Sequence, residues 1–538
     1  MERIELNVNH DILDPNFEGY KVAMDNIGFE STKLNETLFS RNRPNSMVSL
    51  QHMKIFANEN SLFIDSTRST TEKKYLYRIT EDGNIEQLVF ETNVRTWNVS
   101  TVTKMDIGTG NDVGYPPSIG FPSESIAVAC NGINRVFVYY ILPDNTWTEM
   151  LNYEVCKEQG ISLLEARCID NKMQILVHRV EENEQKKTRT RVSWITVDMA
   201  DLDIVEHLTV NNKTDFIQDG HFETCTFAND GNLLFLATKS PRLENEHPDI
   251  TEDEVKRTWE QHEEEIKVVF NVNTTFTQED VKLNVTKRSI FLALKDTVLL
   301  QGTLCGEINE KDVEVGADLN ENKLVLKLKT TDGIRWNELI EGEGREEKPN
   351  RQGLVKGSQE ERVCGADETS EECDDAEPSL FIYWVDQNTH KTIRQCDVSG
   401  RQVLFIRHDF LTPAIICLRH DVDGILWSFE DPKHPKHSAT LQAFGYVQAS
   451  KMQRIWSGCS PNGNYAGIVE SNNRVLVYSQ SVAVEGSLVN RKTSTKVNHI
   501  AKQHLLRLES SDPIRGFYMS DHHIFALTKN GIHVVELV

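Results

Sequence analysis

The chain has 538 residues, of which 38% are apolar and 26% charged, with 29 glycines and 15 prolines. That length holds roughly three or four average domains, and the composition excludes wholesale disorder, a collagen repeat and a long coiled coil. Against 58 Lys and Arg stand 82 Asp and Glu, a formal net charge of −24. Such a balance disfavours non-specific attachment to a phosphate backbone, and no Lys/Arg run restores it, so no direct nucleic-acid binding is expected.

The opening Met-Glu-Arg-Ile-Glu-Leu lacks a basic region followed by an apolar core, and no stretch reaches about 18 apolar residues, so a soluble, intracellular chain without a membrane partner is expected. Ten cysteines are scattered without a CxxC pair, which reads as reduced buried thiols rather than a disulfide framework or a zinc site.

In residues 1–240 a strand, a polar turn and a second strand recur. Tyr75–Ile79 precedes Asp82-Gly83-Asn84, Ile126–Cys130 is joined to Arg135–Tyr140 through Asn131-Gly132, and Phe227 is joined to Leu233–Leu236 through Ala228–Asn232. An acidic segment follows, with 10 acidic against 3 basic residues from Pro241 to Glu265, and 241–258 is assigned as an acidic linker.

From Trp259 to Ile340 the pattern changes to tight alternation. Ile266, Val268, Phe270 and Val272 alternate with Lys267, Val269 and Asn271, and Val281–Val285 repeats the period of two. Ser289–Leu294, a turn around Lys295-Asp296, and Val298–Gly302 read as a hairpin, and Leu324, Leu326 and Leu328 close the set. No helical period runs through this segment, so an antiparallel β-sandwich of about 80 residues is predicted.

Residues 341–378 carry 13 acidic against 5 basic residues and few large apolar ones, the composition of a flexible linker with little burial to offset its ordering entropy. In 379–538 the strand-turn-strand pattern returns, most plainly in Cys459–Glu470 leading through Asn472-Asn473 to Arg474–Tyr478. One all-β body of about seven propeller blades, assembled from both flanks, fits this spacing; two separate β domains fit it too, because the period is loose and no Gly-His or Trp-Asp repeat signature stands in it.

Candidate chemistry is thin. His408-Asp409 and His420-Asp421 are adjacent pairs whose side chains diverge on a strand. The run Leu418–Trp427 reads instead as a strand, an Asp423-Gly424 turn and a second strand with Trp427 buried. Lys433-His434-Pro435-Lys436-His437 reads as a surface loop, and no HExxH, GxSxG or phosphate-binding glycine loop is found. The expectation is therefore a non-enzyme with no cofactor and no metal. Recognition remains. Trp259 and Trp336 stand at the two ends of the sandwich segment, where core packing competes with partner contact, and Lys282, Lys287 and Arg288 are candidates for charge-assisted contacts. His420, Asp421 and Trp427 complete the set of candidate structural or contact residues.

Trp259-Glu260-Gln261, Ile266–Phe270, Phe276–Leu283, Leu299–Leu304 and the closing Trp336-Asn337-Glu338-Leu339 together resemble the CS domain of the NudC family, a fold shared with p23-type Hsp90 cochaperones. Leu13–Lys21, Cys417–Trp427, Phe444–Lys451 and Asp512–Phe517 extend the resemblance through the flanks. It implies a WD40-like β-propeller from residues 1–240 and 379–538 with a CS/p23-like domain at 259–340 inserted. It also implies occurrence in cytoplasm and nucleus, and a non-catalytic adaptor or cochaperone role in protein folding or client stabilisation. Hsp90-associated or WD40-type clients are the partners it implies; a propeller scaffold hub without a chaperone role is the alternative. One departure is that Val313–Asn322 lacks the Trp that such domains carry before the acidic turn, which puts an inherited surface contact in doubt. With no sustained heptads, a monomer is expected.

Overall fold

The computed structural model describes residues 2–23, 27–109, 112–157, 160–183, 186–199, 207–244, 257–262, 265–271, 280–294, 297–318, 323–331, 335–336, 338–340, 379–408, 413–471, 473–489, 494–508 and 512–537. The expected linker 341–378 and residues 245–256 of the expected linker 241–258 lie outside them. The chain divides into two compact units, residues 1–244 with 374–538, and residues 245–373.

Alternation builds the smaller unit. Ile266, Val268 and Phe270 on strand Glu265–Asn271, and Leu324, Leu326 and Leu328 on Lys323–Lys329, point into the core. The two strands pair antiparallel, with Ile266 opposite Leu328 and Phe270 opposite Leu324. They form the middle of a four-stranded sheet edged by Arg257–His262 and Glu314–Asp318. A three-stranded sheet, Val281–Val285, Ser289–Leu294 and Thr297–Thr303, adds Ile290, Leu292, Leu294 and Leu300 to the same core. Each such side chain, fully buried, contributes about 1.5–3 kcal/mol relative to exposure, which is why a two-period sequence holds two layers together. Gly302 is the tight point: a Cβ there would stand 2.4 Å from Cγ2 of Ile340, and its φ of +152° lies in a region that side-chain-bearing residues rarely adopt.

The larger unit is also built of antiparallel neighbours, but in separate sheets of four or five strands among the described residues. One joins Phe222–Phe227 and Leu233–Ala237 to Phe381–Val385 and Thr392–Asp397, with Glu2–Ile4 added parallel at its edge. In another, Phe29–Lys33 pairs antiparallel with the last strand, Gly531–Glu536. Chain-distant segments on both sides of the smaller unit therefore share sheets. The expected WD40-like propeller of about seven blades is corrected here. Among the described residues the strands form discrete open sheets, and pairing closes none of them into a propeller or barrel. The strand-turn-strand spacing that prompted the expectation fixes only which neighbours pair within a sheet, and a loose period specifies no closure beyond it.

The turns explain the local pairing. Asn131 Oδ1 accepts from the backbone N–H groups of Ile133, Asn134 and Arg135 at 2.9–3.0 Å, so one side chain shapes the hairpin between Ile126–Cys130 and Arg135–Ile141. Its neighbour Gly132, at φ +77°, lies where a Cβ would collide with the Tyr115 carbonyl. No helix among the described residues is long and apolar enough to cross a membrane.

Candidate partner-binding surfaces

In the smaller unit, Trp259 lies half-buried on the edge strand Arg257–His262 and packs against the apolar core. Trp336 is only 6% exposed, and its backbone N–H donates to Oε1 of Gln261 at 2.8 Å. That bond ties the closing segment to the same edge strand. Lys282 is exposed on the outer strand Val281–Val285, and Lys287 and Arg288 occupy the turn after it. The carbonyls of Lys287 and Arg288 accept from the N–H groups of Ile308 and Leu304 at 2.9 and 2.7 Å. Their backbone therefore anchors a loop while their side chains face solvent.

The outer face of the four-stranded sheet carries a charged row set by register. Glu260 lies opposite Lys267, Lys267 opposite Lys327, and Lys327 opposite Glu314. Contacts along and beside the row are long, 3.9 Å from Lys267 to Glu260 and 4.0 Å from Lys327 to Glu265. Exposed pairs at such spacing add little stability and leave the charges available to a partner.

In the larger unit, His420 ends strand Ile415–His420, and Asp421 turns through a left-handed φ of 53°. The turn lies at Asp421-Val422, and Asp423-Gly424 begin the next strand, Asp423–Ser428. This corrects the expected Asp423-Gly424 turn: Asp423 is recruited instead to accept the N–H of Ala443 at 2.6 Å, at the start of helix Phe444–Ala449. Burial, outweighing that bond, raises its carboxyl above the ordinary range. Trp427 is 1% exposed, with its ring 5.7 Å from that of His437. His437 is likewise no surface-loop residue. It lies buried on strand Lys436–Leu441, accepts at Nδ1 from the Asn9 N–H at 3.1 Å, and has Nε2 at 2.9 Å from the Thr440 hydroxyl.

A polar cluster absent from the sequence reading fixes helix Leu50–Ala57, whose N-terminus is capped by Ser49 Oγ. Lys54 Nζ lies 2.6 Å from Oε1 of Glu223 and 2.7 Å from Nε2 of His221, and the latter two are themselves 2.7 Å apart. Burial pushes the Glu223 carboxyl up, but the His221 hydrogen bond and the Lys54 charge outweigh it and hold the group below the ordinary range. His52 Nδ1 adds a contact to the Tyr115 hydroxyl at 2.9 Å. No spacing rule connects positions some 170 residues apart, so only the fold reveals this clasp. Its charges are mutually satisfied, which suits anchoring rather than catalysis. Burial pushes the Cys130 thiol up to about 12, far from the thiolate that reactive cysteines need. Among the described residues no group of three His, Cys, Asp or Glu could hold a metal ion.

Residues 255–329 match the family model of the CS domain. NudC domain-containing protein 1 of Mus musculus is 27% identical over 584 residues, covering 99% of this chain and 98% of the relative. The protein of the same name from Xenopus laevis is 24% identical over 598 residues, with the same coverage of 99% and 98%. The chain is thus related to NudC domain-containing protein 1 over nearly its whole length. Among solved structures, the nuclear movement protein from E. cuniculi GB-M1 shares 19% identity, spanning 16% of this chain and 98% of that one at a TM-score of 0.14. Sqt1 from Chaetomium thermophilum shares 9% over 89% of this chain and 97% of that one, with a TM-score of 0.34. The β-propeller domain of Myceliophteria thermophila Cps50 (Swd1) shares 8% over 95% of this chain and 100% of that one, with a TM-score of 0.35. Likenesses at this level assign no fold, so they give the WD40-like propeller no footing either.

Proposed function

We propose that the protein is a non-catalytic, partner-binding adaptor of the NudC type that acts in protein folding or client stabilisation. The observation that carries this reading is the CS-domain match at 255–329, lying in a unit whose interior is apolar and whose charged residues Lys267, Lys282, Lys287, Arg288 and Lys327 face outward. A small sandwich that spends its apolar residues on its own core and presents registered charges on an open face is built to meet another protein rather than a small substrate. The relationship to NudC domain-containing protein 1 over 99% of the chain supports the same reading. Hsp90-associated proteins and WD40-type clients are the partner classes it names, in cytoplasm and nucleus.

The test compares the full chain with a chain in which residues 241–378 are replaced by a short Gly/Ser linker. Both are titrated against purified Hsp90 and scored for suppressing aggregation of a heat-denatured client. The adaptor reading expects activity in the full chain and at least a tenfold loss without the module. Equal activity of the two chains would overturn it, and association without suppression of aggregation would reduce it to scaffolding.

A further inference from the structure

One sheet of the larger unit carries a row of like charge. Its strands Arg454–Cys459, Tyr465–Glu470, Arg474–Val489 and Lys496–Arg507 lie side by side in that order. Register sets Arg454 opposite Glu470, Glu470 opposite Arg474, and Arg474 opposite Arg507. Directly opposite residues share a face, with their Cβ atoms about 5 Å apart. Three arginines and one glutamate therefore stand in line across four strands. The arginines are exposed, whereas Glu470 is only 9% exposed. Arg454 donates to the Gln448 carbonyl at 3.4 Å. Among the described residues, the side chains of Arg474 and Arg507 make no hydrogen bond or ion pair, and Glu470 makes none with either of its arginine neighbours.

Two like charges directly opposite each other repel, and each guanidinium is a fork of donors with no acceptor of its own. Beside this pair the same face is apolar and open. Leu505, two residues before Arg507 and hence on its side of the strand, lies opposite Leu476 and is 55% exposed. Val22, on the short edge strand Lys21–Val22, lies opposite Gln503 on that face and is 74% exposed. The face thus sets two unanswered cations next to two uncovered aliphatic side chains.

We propose that this face docks an acidic segment of a partner protein, which sets a carboxylate between Arg474 and Arg507 and lays a large apolar side chain on Leu505 and Val22. A carboxylate accepts paired N–H bonds from a guanidinium in planar geometry, and one placed here also relieves the repulsion between the two arginines. The apolar contact separates a protein segment from a bare polyanion. A nucleic-acid backbone has no aliphatic side chain to cover Leu505, and a chain of formal net charge −24 repels a long run of phosphates. The inference goes beyond the adaptor reading, whose carrying observation lies in the smaller unit, and assigns the larger unit a recognition surface of its own.

The experiment selects a displayed library of random ten-residue peptides on the full-length protein and measures selected peptides by fluorescence anisotropy. Enrichment of Asp or Glu near a large apolar residue is expected, with binding that weakens as salt rises. Arg474→Gln and Arg507→Gln should each weaken binding roughly tenfold, the scale of a lost hydrogen bond between charged groups, and Leu505→Asp should weaken it several-fold. These positions are exposed, so the unfolding transition of each variant should match the parent's. Lys172→Glu, at an exposed lysine on a strand of another sheet, should bind as the parent does. No enrichment, enrichment without acidic residues, or affinity indifferent to either arginine substitution overturns the proposal. An equal loss with Lys172→Glu overturns it in favour of attraction by net charge alone. Tighter binding of a 20-nucleotide oligothymidylate than of any selected peptide overturns it in favour of nucleic acid. All of these arms keep the module, so their failure leaves the module-deletion test of the adaptor reading intact.

Discussion

The two units bury different chemistry. In the smaller one the 16-residue core cluster is wholly apolar, and Thr330 is its one buried polar residue among those described. The larger unit buries charges: Arg78 with Glu86, Glu165 with Arg167, and Arg41 donating to the carbonyls of Tyr115 and Asn131 at 2.7 and 3.0 Å. An alternating strand pair needs only a dry interior to hold its register. Sheets built from distant stretches of chain must also satisfy backbone and side-chain groups where they meet, and buried ions answered by partners do so directionally. The contrast teaches that one unit is specified by period and the other also by individual buried polar contacts, local for Arg78 with Glu86 and for Glu165 with Arg167, and long-range for Arg41.

The sharpest way to break that contrast is to remove one anchor of each kind. Glu165 is 1% exposed, lies 2.6 Å from Nε of Arg167 and accepts the Phe227 N–H at 3.0 Å. Glu165→Ala would leave a buried guanidinium unpaired and should cost the larger unit about 3–5 kcal/mol. Adding Arg167→Met should recover much of that loss, because an apolar pair of similar volume is often no worse than the ion pair. In the smaller unit, Trp336→Ala should cost about 3–5 kcal/mol through lost burial and the cavity left behind. Calorimetry of the full chain, with hydrogen exchange assigning each transition to its unit, checks both. A Trp336→Ala loss below about 1 kcal/mol would instead identify a residue kept for contact.

The same contrast explains what the sequence disclosed. Strands Glu265–Asn271, Val281–Val285, Ser289–Leu294 and Lys323–Lys329 coincide with the alternating runs to within a residue or two, because alternation is the physical cause of their burial. Trp427 was legible for the same reason, lying in an apolar run after a turn. The turn itself was misplaced by two residues, because Asp423 answers a tertiary demand at Ala443 that no local rule contains. His437 looked like a loop residue beside Pro435, yet its imidazole is buried against Trp427 and bonded to Asn9, 428 positions away. Lys54, His221 and Glu223 carried no signal for the same reason. Blade-like spacing described neighbours correctly and over-reached on closure, since pairing rules act between adjacent strands.

Trp259 sharpens the comparison at intermediate size. It is half-buried on an edge strand, so Trp259→Ala should cost roughly 1–2 kcal/mol, less than Trp336→Ala, in proportion to the area lost. Denaturant titration of the full chain, followed by the smaller unit's transition, gives the ordering. A larger loss for Trp259 than for Trp336 would invert the assignment of the two indoles.

A smaller effect distinguishes the units by pH. Burial pushes the His178 imidazole down to about 4, and it packs 5.7 Å from the Phe222 ring. Between about 6.5, its ordinary unfolded value, and 4 the unfolded chain binds a proton that the folded chain refuses. Stability from this group is therefore complete above about 6.5 and falls as pH drops toward 4. Burial raises the carboxyls of Glu59, Asp65 and Glu165, which acts in the opposite sense. The test is therefore the difference between parent and His178→Gln, whose pH slope over this range should be shallower for the larger unit only. Identical slopes would show that the imidazole accepts its proton in the folded state.

The smallest effect on stability is expected where partner contact is expected most. Lys282 and Arg288 are exposed, and exposed charges contribute little through their own pairs. Lys282→Glu and Arg288→Glu should each move the smaller unit's stability by no more than about 0.5 kcal/mol. If this face meets an acidic partner, either reversal should slow association and flatten its salt dependence while dissociation changes less, because rim charges act mainly on encounter. Stopped-flow association at two ionic strengths reads this directly, against an unchanged unfolding transition. Loss of more than about 1.5 kcal/mol on either reversal would show that the smaller unit, too, depends on specific charged contacts. The difference between a unit held by period and one held by polar anchors would then not stand.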